Sequence, residues 1–184
     1  IAVSNAGDIN ADGFDDVIVG ANLSVKAYVY LGSSDGIDTV ETATLSNFQG
    51  NSQFGFSVSD AGDVNADGFD DVIIGAYKFD GEGLNSDGGI AYLYHGNALG
   101  LITSPATILE EGFYSTYFGY STSGAGDVNN DGFDDVIVGE YQADFLEFDA
   151  GSVFIYLGSA SGVNTTFSTR IDNEQYFAHF GKAV

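Results

Sequence analysis

The stretch AGDINADGFDDVIVGA occupies residues 6–21, and two near copies follow it, AGDVNADGFDDVIIGA at 61–76 and AGDVNNDGFDDVIVGE at 125–140. Internal repeats of this kind dictate the architecture of a chain, because each copy is one structural unit that stacks on its neighbours. In every copy a polar DxNxDGFDD segment leads into an apolar run rich in Val and Ile, which is typical of a loop followed by a buried strand. The sequence therefore predicts an array of similar β units.

Side chains that carry oxygen alternate along the polar segment. In the first copy, Asp8, Asn10 and Asp12 stand at every second position, and Asp16 closes the segment. Together with a main-chain oxygen from Phe14, they would supply the hard oxygen ligands that Ca²⁺ prefers, whereas Mg²⁺ demands a tighter octahedron. The three copies therefore predict three Ca²⁺ ions per chain. The predicted ligands are Asp8, Asn10, Asp12, Phe14 and Asp16; Asp63, Asn65, Asp67, Phe69 and Asp71; and Asp127, Asn129, Asp131, Phe133 and Asp135.

Two other interpretations of the segment compete with a calcium loop of this kind. An EF-hand loop needs a Glu at its twelfth position and a helix after it, but Val19, Ile74 and Val138 stand there, inside strand-like runs. A simple polar turn also uses Asn, Asp and Gly. Three copies with the same oxygen positions are hard to explain by a turn alone, so the calcium interpretation is favoured.

The composition is strongly acidic. The chain has 27 Asp and Glu residues against 4 Lys and Arg, which gives a formal net charge of -23. Nucleic acid is not an expected partner, because phosphate binding needs clusters of Lys and Arg, and an anionic membrane surface would repel the chain. No apolar run reaches the ~18 residues of a membrane-spanning helix, so membrane insertion is not expected. A hydrophobic fraction of 44% is enough for a packed core, and the absence of Cys excludes disulfides.

Each unit contains four segments typical of short strands. In the second unit they are FGFSVSDAG at 54–62, DDVIIG at 70–75, AYLYHG at 91–96 and ATIL at 106–109, with a Gly-x-x-x-Gly turn at 96–100. The fourth segments of the other two units are ATLS at 43–46 and FSTR at 167–170. Four short strands with turns between them predict an antiparallel meander, and a second strand that is apolar on both faces predicts cover on both sides. The predicted fold class is all-β, with about three four-stranded propeller blades.

These residues resemble the FG-GAP repeat, the blade unit of integrin α-subunit β-propellers and of many bacterial surface proteins. The FG pairs are Phe54-Gly55, Phe118-Gly119 and Phe180-Gly181, and the second signature is the AGD of each loop with the VIVGA that follows it. The resemblance implies a calcium-stabilised propeller that is extracellular or at the cell surface and supports adhesion or ligand binding. It also suggests a bacterial-type surface or secreted protein.

The repeat frame predicts units at 1–53, 54–117 and 118–179, with 180–184 beginning the next unit. Three wedges cannot close a ring, because propellers take about four to eight blades. Two explanations stay open. The chain is part of a longer array that supplies further blades, or it forms a homo-oligomer in which an edge strand completes the sheet of a neighbouring copy.

The meander also predicts two different ends of the blades. Successive turns alternate ends, so the calcium loops and the Gly-x-x-x-Gly turns share one end, while the loops between second and third strands share the other. Those loops vary in length, and variable loops on a fixed scaffold usually carry recognition. Aromatic residues gather there: Tyr77, Phe79, Tyr114, Tyr117, Tyr141, Phe145, Phe148, Tyr176 and Phe177. They predict a protein or glycan ligand at that end, unless the rings seal the gaps between blades.

Three classes of function are compatible with these features. The first is a structural or adhesive module, the second a carbohydrate-binding propeller, and the third an accessory propeller of a larger hydrolase. No GxSxG nucleophile elbow is present, and no other catalytic constellation stands out in the sequence. The chain is therefore predicted not to be an enzyme, and the first class is favoured.

Overall fold

A computed structural model describes residues 2–47, 49–81, 87–111, 116–142, 150–173, 175 and 177–184. In these ranges the chain is built from β-strands, with a single 3-10 turn at Asn22–Ser24 and no α-helix. No element of the described chain is therefore a helix suited to crossing a membrane. The strands form three four-stranded antiparallel sheets and one small two-stranded ribbon. The prediction of an all-β fold made of propeller blades is confirmed.

The strands follow the meander that the sequence predicts. Blade 1 contains β1 (Ala2–Gly7), β2 (Asp16–Ala21), β3 (Lys26–Tyr30) and β4 (Ala43–Ser46). Blade 2 contains β5 (Ser57–Gly62), β6 (Asp71–Ala76) and β7 (Ile90–Tyr94), then the ribbon of β8 (Gly96–Asn97) and β9 (Gly100–Leu101), and finally β10 (Thr107–Leu109). Blade 3 contains β11 (Phe118–Gly126), β12 (Asp135–Glu140), β13 (Ser152–Tyr156) and β14 (Thr169–Asp172). In every blade the strands pair in chain order.

Several predicted strand boundaries differ from the structure; the first strand of blade 2, for example, was expected at 54–62 and lies at Ser57–Gly62. The fourth strand of blade 3 was expected at 167–170 but lies at Thr169–Asp172, because its register pairs Thr169 with Ile155 and Asp172 with Ser152. Phe167 packs against the core beside the strand instead of belonging to it. The turn at 96–100 carries the short ribbon of β8 and β9.

Adjacent residues of β6 face different cores. Ile74 belongs to the apolar cluster between blades 1 and 2, whereas Ile73 belongs to the cluster between blades 2 and 3. All six residues of β6 are buried, as expected of a strand covered on both faces. In β2 buried and half-buried residues alternate, because blade 2 covers only one of its faces. The hydrophobic core of the molecule therefore lies between blades, and each blade is stabilised by its neighbours.

Glycines meet where one blade joins the next. The Cα of Gly20 in β2 lies so close to the carbonyl of Gly55 that any side chain at Gly20 would overlap it. The same close approach joins Gly75 to Gly119 and Gly139 to Gly181. Each contact pairs the glycine of an FG pair with the glycine of the preceding VIVG or VIIG run, which explains why both motifs recur together.

Candidate metal centres

Each DxNxDG segment folds into a tight loop around its own oxygen atoms. In the first loop Asp8 Oδ1 and Asn10 Oδ1 both accept the backbone N–H of Asp12, each at 3.0 Å. Asp8 Oδ2 accepts the N–H of Gly13 at 2.8 Å. Gly13 has φ +91, a conformation that glycine adopts without steric cost. The oxygens at loop positions 1 and 3 therefore lie on the same side of the loop.

The other two loops repeat this geometry. Asp63 Oδ1 and Asp127 Oδ1 accept the N–H of Asp67 and Asp131 at 3.0 Å, and their Oδ2 atoms accept a glycine N–H at 2.8 Å. The Asn at position 3 also donates to the Asp at position 5 in all three loops, at 2.8 to 3.0 Å. The local sequence thus determines the loop conformation independently of the blade that carries it.

The carboxylate at loop position 9 has a different environment from those at positions 1 and 5. Asp16 is fully buried, and its two oxygens accept the N–H groups of Ile9 at 3.0 Å and Gly32 at 2.7 Å. Asp71 and Asp135 make the corresponding bonds in the other blades. Because Gly32 opens the Gly-x-x-x-Gly turn, these bonds hold the loop and the turn together, as predicted for elements at one end of the blade.

Each loop carries a set of oxygen donors, and a calcium ion prefers such ligands. Among the described residues no three His, Cys, Asp or Glu side chains form a ready metal cluster. The position 9 carboxylate accepts backbone amides with both of its oxygens. The loops nevertheless carry the oxygen donors that calcium prefers. A carboxylate oxygen has two lone pairs, so an oxygen that accepts one amide retains a second lone pair. The residues fit Ca²⁺ chemically, and ligation by the main-chain oxygens of Phe14, Phe69 and Phe133 stays a prediction.

Negative charge is concentrated at this end of the blades. Burial raises the pKa of Asp16 above its usual range. Burial also raises the pKa of Asp71 to about 7, and the neighbouring Asp67 and Asp63 add to that shift. A cation in the loop would offset this repulsion between carboxylates.

The structure assigns a role to two aspartates that the sequence interpretation missed. Asp70 and Asp134 stand at loop position 8, and each accepts a backbone N–H from the loop of the preceding blade. Neither residue is among the ligands predicted from the sequence. The signal that could have revealed them is the Asp-Asp pair, which is present in all three copies.

At the opposite end, aromatic rings pack against one another between blades 2 and 3. Tyr77 contacts Phe56, Tyr117 and Tyr120, with ring centroids 4.6 to 5.4 Å apart. Tyr141 also contacts Tyr117 and Tyr120 and so belongs to the same cluster. These contacts favour the alternative in which rings seal the gap between blades, although Phe177 is 63% exposed. Phe79 packs against the core of blades 1 and 2, and the predicted Tyr114, Phe145, Phe148 and Tyr176 lie outside the described residues.

Comparison with known families finds the FG-GAP repeat at residues 2–34, 54–94 and 118–156. The chain belongs to the FG-GAP repeat family. Each matched segment contains one of the loops described above and the first three strands of a blade. The family resemblance inferred from the FG pairs and the AGD loops is thereby confirmed.

Integrin alpha subunits are among the relatives of this FG-GAP chain. Integrin alpha-7 of Rattus norvegicus is 37% identical over 141 residues, which are 72% of this chain and 12% of the integrin. Integrin alpha-V of Gallus gallus is 31% identical over 177 residues, which are 86% of this chain and 16% of the integrin. The chain thus spans a small part of the length of these relatives. They are vertebrate proteins, so the expectation of a bacterial-type protein finds no support in them.

Proposed function

We propose that the chain is a calcium-binding propeller module that supports adhesion or protein–protein interaction outside the cell. The observation that carries the proposal is the hydrogen-bonding of the three loops, which is the same in each copy and gathers oxygen donors at one end of the blades. Such repetition is expected of a site that recurs with each repeat. The family assignment and the integrin relatives support the same function.

Each loop would hold one Ca²⁺ through the side chains at positions 1, 3, 5 and 9 and the main-chain oxygen at position 7. In the first loop these are Asp8, Asn10, Asp12 and Asp16, with the carbonyl of Phe14. The ion would supply positive charge among carboxylates that otherwise repel one another. Asp16 connects the loop to the Gly-x-x-x-Gly turn, so a loop held by calcium would also fix the start of the connection between β3 and β4.

Removal of calcium should lower the stability of the whole module. Extracellular calcium modules have Kd values of about 10⁻⁴–10⁻³ M. At ~1 mM calcium and a Kd of ~10⁻⁴ M, each ion stabilises the fold by about 1.4 kcal/mol, and three ions by roughly 4 kcal/mol. We therefore expect EGTA to lower the Tm by roughly 10 °C, and elemental analysis to find three Ca²⁺ ions per chain. An unchanged Tm, or fewer than two bound ions, would contradict the proposal.

A single loop can be tested with a matched pair of variants. Asp67 accepts the N–H of Phe69 and the amide of Asn65 in the exposed part of loop 2. Asp67→Ala should lower the Tm by about 4 °C in calcium, because one site is weakened, and should change it little in EGTA. Asp35→Ala removes the same charge from an exposed turn and should have no effect in either buffer. Equal losses in calcium and in EGTA would argue against a metal site.

The partner is proposed to be a protein that binds the end of the blades opposite the calcium loops. We also propose the repeat boundaries given above, with further blades supplied by the same polypeptide or by a second copy. Residues 180–184 support this frame, because Gly181 contacts Gly139 as Gly119 contacts Gly75. Binding of soluble integrin ligands to the immobilised chain, with and without calcium, tests the partner; a ligand bound at the calcium end would contradict it.

A glycan ligand is the second candidate, and one observation favours it. A groove of about 560 Å³ between blades 1 and 2 is lined by Phe79, Tyr92 and Tyr94 together with the amides of Asn47 and Gln49. Tyr92 and Tyr94 are buried, but the half-buried ring of Phe79 can stack on a sugar ring while the amides bond its hydroxyls. A glycan array distinguishes the candidates: Phe79→Ala should abolish a glycan signal, whereas Tyr30→Ala outside the groove should retain it.

A further inference from the structure

The three loops are joined by hydrogen bonds that run from one blade to the next. Asp70, at position 8 of loop 2, accepts the N–H of Asp8 in loop 1 through Oδ2 at 2.7 Å. The N–H of Asp70 in turn donates to the carbonyl of Asp8 at 3.3 Å. Asp134 of loop 3 makes the same pair of contacts with Asp63 of loop 2, at 3.0 and 3.2 Å.

Glycine leaves room for these contacts. A side chain at Gly7 would overlap the carboxylate of Asp70, and a side chain at Gly62 would overlap that of Asp134. Gly126 occupies the same position before loop 3, and a Cβ there would have no atom of the described residues within 4 Å. Loops 1 and 2 are therefore each contacted by the following blade, and within the described residues loop 3 has no such contact.

Asp70 contacts two backbone groups, an N–H and a carbonyl, and both belong to Asp8, the residue that opens loop 1. Asp8 provides the predicted ligand at position 1, and its two carboxylate oxygens already accept the N–H groups of Asp12 and Gly13. A charged acceptor that also fixes the backbone N–H of Asp8 restrains the orientation of that carboxylate. Restraint before binding raises affinity, because less conformational freedom is lost when the ligand arrives.

We propose that Asp70 and Asp134 are positioning residues that preorganise the calcium loop of the preceding blade, so that calcium affinity is coupled along the array from each blade to the one before it. This inference rests on the proposed calcium function. It implies that loop 3, which lacks such a contact within the described chain, binds calcium more weakly than loops 1 and 2. It also implies that an added blade, docked on Gly126, would raise the affinity of loop 3.

The test reads each loop separately. Hydrogen exchange of the full chain is followed by mass spectrometry during a calcium titration, and peptides covering 8–16, 63–71 and 127–135 give one midpoint per loop. Asp70→Ala should raise the midpoint of loop 1 by about tenfold, since it removes a charge-assisted hydrogen bond, and should leave loop 3 unchanged. Asp134→Ala should instead raise the midpoint of loop 2 and leave loop 1 unchanged.

Asp15→Ala is the matched control. Asp15 stands at position 8 of loop 1 and, unlike the half-buried Asp70 and Asp134, is exposed and makes no hydrogen bond to another described blade. It should shift no midpoint. Asp70→Asn retains an oxygen that can accept the N–H of Asp8. It should therefore keep most of the calcium affinity that Asp70→Ala loses. If the Ala variant fails to fold, the Asn variant still allows the test.

The outcomes distinguish a failure of the proposed calcium function from a failure of the proposed coupling between loops. If the loops of the wild-type chain gain no protection up to about 10 mM calcium, above the usual range of extracellular sites, the proposed function fails and the coupling fails with it. If the wild-type loops respond but Asp70→Ala leaves loop 1 unchanged, only the coupling is overturned. A rise shared by all three loops would show a general structural effect and would also overturn it.

Discussion

At the scale of single residues, Glu140 departs from the repeat. It follows β12's apolar run where the other copies have Ala21 and Ala76, and it is only 1% exposed. It pairs with Ser152 across the sheet, and within the described chain its Oε1 accepts no hydrogen bond. Burial raises the pKa of Glu140 to about 7, aided by Glu111 and Asp172 and opposed by Thr116 and Arg170. The carboxyl group is therefore neutral in much of the folded protein at neutral pH.

We expect Glu140 to make stability depend on pH. Between its ordinary pKa and about 7, the folded state retains a proton that the unfolded state has lost, so the free energy of unfolding falls as pH rises through this window. Glu140→Gln removes the titration. It should match wild type at about pH 3.5, where both states are largely protonated, and exceed it by roughly 3 kcal/mol at about pH 8. Urea denaturation at both values measures this.

The comparison of wild type with Glu140→Gln isolates the effect of Glu140, because Asp16, Asp71 and the other carboxyl groups with a raised pKa are present in both proteins. A difference in stability that stays constant from acid to alkaline pH would contradict the assignment. Glu41→Gln, which removes the same charge from an exposed position, is the control.

At the scale of strands, the glycine contacts between blades set the stacking distance. Gly75 in β6 faces the carbonyl of Gly119, which begins the next blade. Gly75 does not have a positive φ, so its requirement for glycine comes from close approach alone and not from backbone conformation. The strands can therefore pack at this distance only while no Cβ stands between them.

Gly75→Ala should lower the free energy of unfolding by about 1–3 kcal/mol, because the added methyl group forces the two blades apart. Gly50→Ala is the control, since a Cβ there would have no neighbour within 4 Å among the described residues, and it should change stability by less than about 0.5 kcal/mol. Guanidinium denaturation of both variants measures the difference. If both variants changed the free energy of unfolding equally, close contact between the glycines would not be needed for stability.

The sequence predicted the structural features that neighbouring residues determine. It missed the contacts between residues that are far apart in the chain. The loops follow from alternating oxygen side chains, and the strands of blade 2 follow from their apolar runs. The bond between Asp70 and Asp8 joins residues 62 positions apart, so no local pattern records it. Phe56 and Tyr120 were likewise missed in the aromatic cluster, because their contacts depend on how blades 2 and 3 stack.

At the scale of the whole molecule, blade 1 exposes a face whose counterpart in blade 2 is covered by blade 1. Val58 of β5 packs against blade 1 and is 7% exposed, whereas Val3, which stands at the same repeat position in β1, is 66% exposed. Burial of such a side chain contributes about 1.5–3 kcal/mol. The face around Val3 is therefore suited to another blade, whichever chain supplies it.

We expect the 184-residue chain to associate through this face. Its sedimentation coefficient in calcium should rise with concentration, because exposed apolar faces of this kind drive association. Val3→Asp should weaken the association by about tenfold or more, whereas Leu23→Asp, at a residue that is 89% exposed outside the face, should not. A monomer whose sedimentation is independent of concentration would contradict the prediction.

The junction glycines also bear on how a gene for such an array can lengthen. Each contact joins the FG glycine of one unit to the VIVG or VIIG glycine of the unit before it, as Gly119 joins Gly75. Duplication or deletion of one full period, starting at any codon, therefore restores a complementary junction without a compensating substitution. A change of a fraction of a period would leave an unmatched glycine and a strand without its partner. Unequal recombination can thus alter the number of blades in whole steps while every interface in the array stays the same.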